Sequence, residues 1–169
     1  MAILISPYAC FSFVILICLQ ISQAAPVDEI CIRTSEPYLC LQALGGPATR
    51  KDTLAGAAEI GLQTAGMGAI RFQNIFKELS SSPGSSPDVK VDANKCANIY
   101  DNIFKGLIAS AHESARVGRW PDVITPVKQI DVDIDTCEGL FNGNSPVHGE
   151  SRKVRVAAEA IALIAAKLS

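Results

Sequence analysis

His112 and His148 are the chain's two histidines, and Cys10, Cys18, Cys31, Cys40, Cys96 and Cys137 are its cysteines. His112-Glu113 opens like a zinc-protease helix, but that helix needs a second histidine one turn on. Position 116 is Arg, so the ligand pair is missing and the segment reads as a solvated helix face. His148 stands in a Gly-, Pro- and Asn-rich stretch and reads as exposed. Gly61-x4-Gly66 is followed by Met67, which cannot replace the lysine of a phosphate loop. Gly66-Met67-Gly68 lacks the third glycine and the preceding strand of a dinucleotide site. No Gly-x-Ser-x-Gly elbow occurs. Asp131, Asp133 and Asp135 alternate, which on a helix spreads them around the axis, and the glycine and further ligands of a calcium loop are absent. Acid–base work by paired carboxylates has no supporting partner in the sequence. Cys31 and Cys40 are too far apart for a redox Cys-x-x-Cys pair. Neither a cofactor nor a metal is implied, and the chain reads as a non-enzyme whose cysteines are structural.

The framework around these residues begins with a leader. Residues 1–24 carry no Asp, Glu, Lys or Arg, and an apolar run from Ala9 to Ile21 leads to Ser22-Gln23-Ala24. Small residues at those places predict a secretory signal peptide over 1–24, cut between Ala24 and Ala25. After Pro7 the apolar span is short for the roughly 20 residues a bilayer needs, so an uncleaved anchor is disfavoured. Cys10 and Cys18 leave with the leader. Cys31, Cys40, Cys96 and Cys137 remain, in a compartment that favours disulfides. Four cysteines allow three pairings. The short spacing of Cys31 and Cys40 suggests a local hairpin, with Cys96 and Cys137 then tying two long elements together. The net charge is −2 with Lys and Arg scattered, so neither nucleic acid nor a membrane surface is an expected partner. No Asn-x-Ser/Thr sequon is present.

Four segments repeat apolar residues at helical spacing. The first, from about Asp52 to Leu79, aligns Leu54, Ala58, Gly61, Ala65, Ala69, Phe72, Phe76 and Leu79. The second, from about Asp92 to Gly118, aligns Ala93, Cys96, Tyr100, Ile103, Leu107, Ser110, Ser114 and Val117. The third carries Val123, Val127, Ile130, Ile134, Cys137 and Phe141, and the fourth, from about Ser151, carries Val154, Ala157, Ile161, Ile164 and Leu168. Ser80–Asp88 (SSSPGSSPD) predicts a flexible loop, and Gly118-Arg119-Trp120-Pro121 a tight turn. Pro126 allows two starts for the third helix. Thr125 caps it with Pro126 at the first position, or it begins at Pro121 and kinks. Gly56, Gly61, Gly66 and Gly68, with Ala57 and Ala65, predict a small-residue face on the first helix, against which a neighbour packs closely. Pro37 breaks Asp28–Leu44 into a short bent hairpin.

Ile30-Cys31-Ile32-Arg33-Thr34-Ser35-Glu36-Pro37-Tyr38-Leu39-Cys40-Leu41-Gln42-Ala43-Leu44 closely resembles the opening of the plant invertase/pectin methylesterase inhibitors. The resemblance continues through Cys96-x3-Tyr100-Asp101 and Thr136-Cys137-Glu138-x2-Phe141, spanning nearly all of the mature chain. It implies an all-α fold: an up-and-down four-helix bundle over 51–169, preceded by a disulfide-closed helical hairpin over 25–50, with bridges Cys31–Cys40 and Cys96–Cys137. The sequence departs from the family in two places. Lys128-Gln129-Ile130-Asp131 stands where a run of small residues is usual, and Pro-Lys-Phe, frequent in invertase-directed members, is absent.

The function implied is that of a secreted, apoplastic protein that occludes pectin methylesterase in the plant cell wall, with acid invertase as the alternative target. A carrier of an apolar ligand inside the bundle is the reading from a different class, and close helix packing along the glycine face argues against it. Candidate contact residues are the non-seam positions of the second and third bundle helices, Asn98, Asp101, Lys105, Lys128, Asp131 and Asp135. Trp120 in the connecting turn is a further candidate, as an anchor or as a cap over the bundle end.

Overall fold

The computed structural model describes residues 26–45 and 53–169, so the leader, its cleavage site and the Asp52 start of the first long helix lie outside the described residues. The described chain is helical throughout. A hairpin of α1 (Pro26–Cys31) and α2 (Pro37–Ala43) precedes α3 (Leu54–Ser81). A second rod consists of α4 (Pro87–Asn102), a π-helical segment (Ile103–Ile108) and α5 (Ala109–Arg116). Then follow α6 (Pro121–Leu140) and α7 (His148–Leu168). Each long element packs on the next, and α7 returns to α3, which closes the expected up-and-down bundle.

Local chemistry sets the helix ends, and two boundaries differ from expectation. Thr53 caps α3 by accepting from the Gly56 N–H at 3.1 Å. The expected loop at Ser80–Asp88 is shorter than drawn. Ser80 and Ser81 stay helical, their hydroxyls donating to carbonyls of the preceding turn. The second rod begins at Pro87 rather than Asp92, because Ser86 caps it and Pro87 suits the first helical position. α6 starts at Pro121 and runs through Pro126, so the Thr125 cap does not form. Asn142 and Gly143 take positive φ after α6, where the Gly143 N–H closes on the Glu138 carbonyl at 2.9 Å. α7 begins at His148, one turn before the expected Ser151.

The core lies along the predicted seams with one break. Ala58, Gly61, Ala65, Ala69, Phe72 and Phe76 are buried on α3, as are Val123, Val127, Ile130, Ile134 and Cys137 on α6. On the second rod Ala93, Cys96, Tyr100 and Ile103 are buried as expected, but Leu107 is only partly buried and Ser110 and Val117 are exposed. Ile108 and Ala111 take their places, since a π turn spans one residue more than an α turn and carries the seam from Ile103 to Ile108. The Tyr100 ring lies edge-on to Phe72 at 5.3 Å and stacks on Phe76 at 5.7 Å between centroids.

The glycine face of α3 brings its neighbours in closely. A Cβ on Gly61 would stand 2.9 Å from atoms of both Ile161 and Leu44, and one on Gly68 would overlap a methyl of Val154. Gly66 is the exception, facing the second rod with only ordinary contact to Phe104 and Ile108. The hairpin sits against α7 and the start of α3. Lys167 bonds Glu29 at 2.8 Å, the Ser35 hydroxyl donates to Glu159 at 2.7 Å, Arg152 pairs with Glu36, and the Thr64 hydroxyl donates to the Ala43 carbonyl at 2.8 Å.

Candidate functional site

The pair formed by the second rod and α6 is held by Cys96–Cys137, whose Cα atoms are 5.2 Å apart. Cys31–Cys40 closes the hairpin across 5.4 Å. Between the second rod and α6 a polar cluster bridges the helices. Asp133 accepts from the Asn102 amide at 3.4 Å and from the Gln129 amide at 2.9 Å. Gly106 makes room for it, because a Cβ there would come within 2.8 Å of the Asn102 side-chain oxygen. Lys128, Asn98 and Val132 are exposed on the same two helices, Val132 at 55%.

The seven expected contact residues do not form one patch. Asp101 turns toward α3, accepting from Gln73 at 2.6 Å and pairing with Lys105 at 2.7 Å. The Lys105 hydrogen bond is the largest influence holding the Asp101 carboxyl below its usual range, with a smaller upward pull from desolvation and further help from Gln73. Asp131 and Asp135 turn the other way, toward Arg155 of α7 at 2.9 and 2.5 Å. The expectation that 131, 133 and 135 simply fan around the axis needs this correction: 131 and 135, four apart, share a face and converge on one guanidinium. Burial pulls the Arg155 pKa down, but the Asp135 hydrogen bond and the Asp131, Asp135 and Glu138 charges outweigh it and raise the group above its ordinary value. Trp120 is half-buried in the turn before α6 and packs on the core. Asn98 and Lys128 remain exposed, while Asn102, Gln129, Val132 and Asp133 were not among the seven expected contacts, Asp133 being read from sequence only as one of three alternating carboxylates. The Asn102 and Asp133 positions follow from the antiparallel register that the second bridge sets.

Glu138, directly after Cys137, is only 8% exposed and organises the connection into α7. It accepts from the Ser145 hydroxyl at 2.7 Å and the Ser151 hydroxyl at 3.2 Å, and meets His148 Nδ1 at 2.9 Å. His148 is exposed as expected, yet it is held by this carboxylate and opens the last helix. Among the described residues no cluster of His, Cys, Asp or Glu could hold a metal ion.

Residues 25–165 match the family model described as plant invertase/pectin methylesterase inhibitor. The chain belongs to that family. It is thus a protein of inhibitor type rather than an enzyme, as the sequence resemblance implies. Two solved structures share its fold. A mutant form of a pectin methylesterase inhibitor from Arabidopsis superposes with a TM-score of 0.76 at 19% identity, over 86% of this chain and 99% of that one. A pectin methylesterase inhibitor from Arabidopsis thaliana gives 0.65 at 19% identity, over 87% and 98%. No curated protein matches the chain. In this inhibitor the pair of the second rod and α6 is tied together by a disulfide and the Asn102–Asp133 contact, with Glu138 holding the connection from α6 into α7.

Proposed function

We propose that this inhibitor is secreted to the plant cell wall and acts there on pectin methylesterase, by laying the bridged pair of α4 and α6 over the enzyme's substrate cleft. The family match over residues 25–165 carries the reading. The two fold neighbours described as pectin methylesterase inhibitors support this target, as does the absence of Pro-Lys-Phe. The apolar leader supports secretion, and among the described residues no helix is long and apolar enough to cross a membrane.

Occlusion needs an interface of about 800 Å² on each partner, an area two adjacent helix faces supply. Preorganisation by the Cys96–Cys137 bridge lowers the ordering cost of binding. Asn98, Lys128 and Val132 are the contacts of choice, around the Asn102–Asp133–Gln129 cluster. Asp101 supports that surface through Gln73 of α3, with Lys105 pairing to it along the same rod, and Asp131 and Asp135 do so through Arg155 of α7. The test is titration of the oxidised protein against a pectin methylesterase and an acid invertase side by side. Stoichiometric loss of esterase activity is expected, weakened about tenfold or more by Val132→Arg or Lys128→Glu. Inhibition of invertase alone would reassign the target. No effect on either enzyme would end the reading.

A further inference from the structure

The seam between α3 and the second rod opens into a groove of about 730 Å³ whose lining residues come from those two elements and not from α6 or α7. Its existence has two local causes. Gly66 contributes no side chain to the floor, where a Cβ would reach only ordinary contact with the Phe104 ring at 3.7 Å. The π turn advances the buried seam of the second rod to Ile108 and leaves Phe104 in the groove wall, 37% exposed. Leu62, Ile70 and Met67 complete an apolar lining, with Ile70 38% and Met67 66% exposed. A volume of this order and an apolar lining with few polar groups are the marks of a small-molecule site, and a methionine at the rim adapts to different shapes.

The charges around the groove say what kind of molecule it takes. Lys105 on the rim is neutralised by Asp101 at 2.7 Å, and Glu113 by Arg116 at 2.8 Å. A charged ligand would therefore have to compete with pairs already made. Gln63 and His112 also line the groove, and they carry polar tips without a hydrogen-bond partner among the described residues. Gly66 faces Phe104 and Ile108 across antiparallel helices, which places Gln63 and His112 together at one end and Ile70 at the other. We infer that this groove is a binding site for an uncharged, mainly apolar small molecule with a hydrogen-bonding group at the end held by Gln63 and His112. This goes beyond the inhibitory reading and uses a different surface.

The experiment is a fluorescence titration of the oxidised protein with Nile red, an uncharged apolar dye, with anilinonaphthalene sulfonate as the anionic comparison and 1-decanol as competitor. Saturable Nile red binding near one per chain is expected, displaced by decanol and stronger than binding of the anion. Gly66→Leu fills the floor and should weaken dye binding about tenfold or more, the scale on which a fitted apolar site rejects a misplaced group. His112→Ala should weaken decanol several-fold and leave circular dichroism unchanged. Amide shifts on adding decanol should fall in 62–70 and 104–113. Absence of saturable binding, preference for the anion, binding unaffected by Gly66→Leu in a folded variant, or shifts confined to other helices would each overturn the inference. Inhibition measured on the same Gly66→Leu protein separates the two proposals, since it should be retained whether or not the dye binds.

Discussion

Asp101 shows what a single side chain contributes here. Its carboxyl is held below the usual range first by the Lys105 hydrogen bond and then by Gln73, so Lys105→Ala should move its titration upward, toward the ordinary aspartate range. Carbon-detected NMR titration reads this directly, and an unmoved midpoint would show that Lys105 is not the cause. A depressed folded-state pKa means that the pairing stabilises the protein above the unfolded value and is lost as pH falls through the lowered one. Glu29, held down by its hydrogen bond and charge contact with Lys167, follows the same sign, so the Glu29–Lys167 link of the hairpin weakens as pH falls through that lowered carboxylate range. Glu138 is the costlier residue. Glu138→Ala strips a shared acceptor from Ser145, Ser151 and His148, and a loss of about 2–3 kcal/mol is expected in urea unfolding at unchanged m-value. The wild-type midpoint in that variant would show that the connector stands without its carboxylate.

At the level of elements, the glycines of α3 separate into two kinds. Gly68→Ala should destabilise by about 1–3 kcal/mol, because the new methyl overlaps Val154, a β-branched residue with little freedom to yield. Gly66→Ala meets only ordinary contacts and should stabilise by up to about 1 kcal/mol through helix propensity. Thermal unfolding of the two variants distinguishes them by sign. Periodicity made this face legible in the sequence, together with the seams of α6 and α7 and that of the second rod as far as Ile103. What it left hidden was the phase slip after Ile103: a period of 3.6 carries no mark of one extra residue in a turn, so Leu107 and Ser110 took the places of Ile108 and Ala111. The same limit applies to the candidate face. Non-seam positions are readable as such, but whether Asp101 leans toward α3 or Asp131 toward α7 depends on partners supplied by Gln73 and Arg155. Those partners lie one helix away in space and 28 and 24 residues away in the chain.

For the molecule as a whole, the two bridges divide the work unequally. Cys96–Cys137 closes a loop of 41 residues and Cys31–Cys40 one of 9. In the chain-entropy model these are worth about 4 and about 2.5 kcal/mol before native strain. Replacing Cys96 and Cys137 together by Ser should therefore lower the melting temperature more than replacing Cys31 and Cys40, as read by calorimetry. Equal losses would show that the bridges act through the native state instead. The hairpin adds a matter of timing. Its anchors Glu159 and Lys167 follow Ser35 and Glu29 by 124 and 138 residues. At ribosomal speeds of about 5–20 residues per second, the hairpin waits about 6–28 seconds for the helix that receives it. Throughout the first part of that wait Cys40 is the one cysteine C-terminal to Cys31, because Cys96 has yet to be synthesised. Order of synthesis alone thus proofreads the first pairing, and pulse-labelled nascent chains in an oxidising compartment should hold the Cys31–Cys40 bond well before the C-terminal helix is complete.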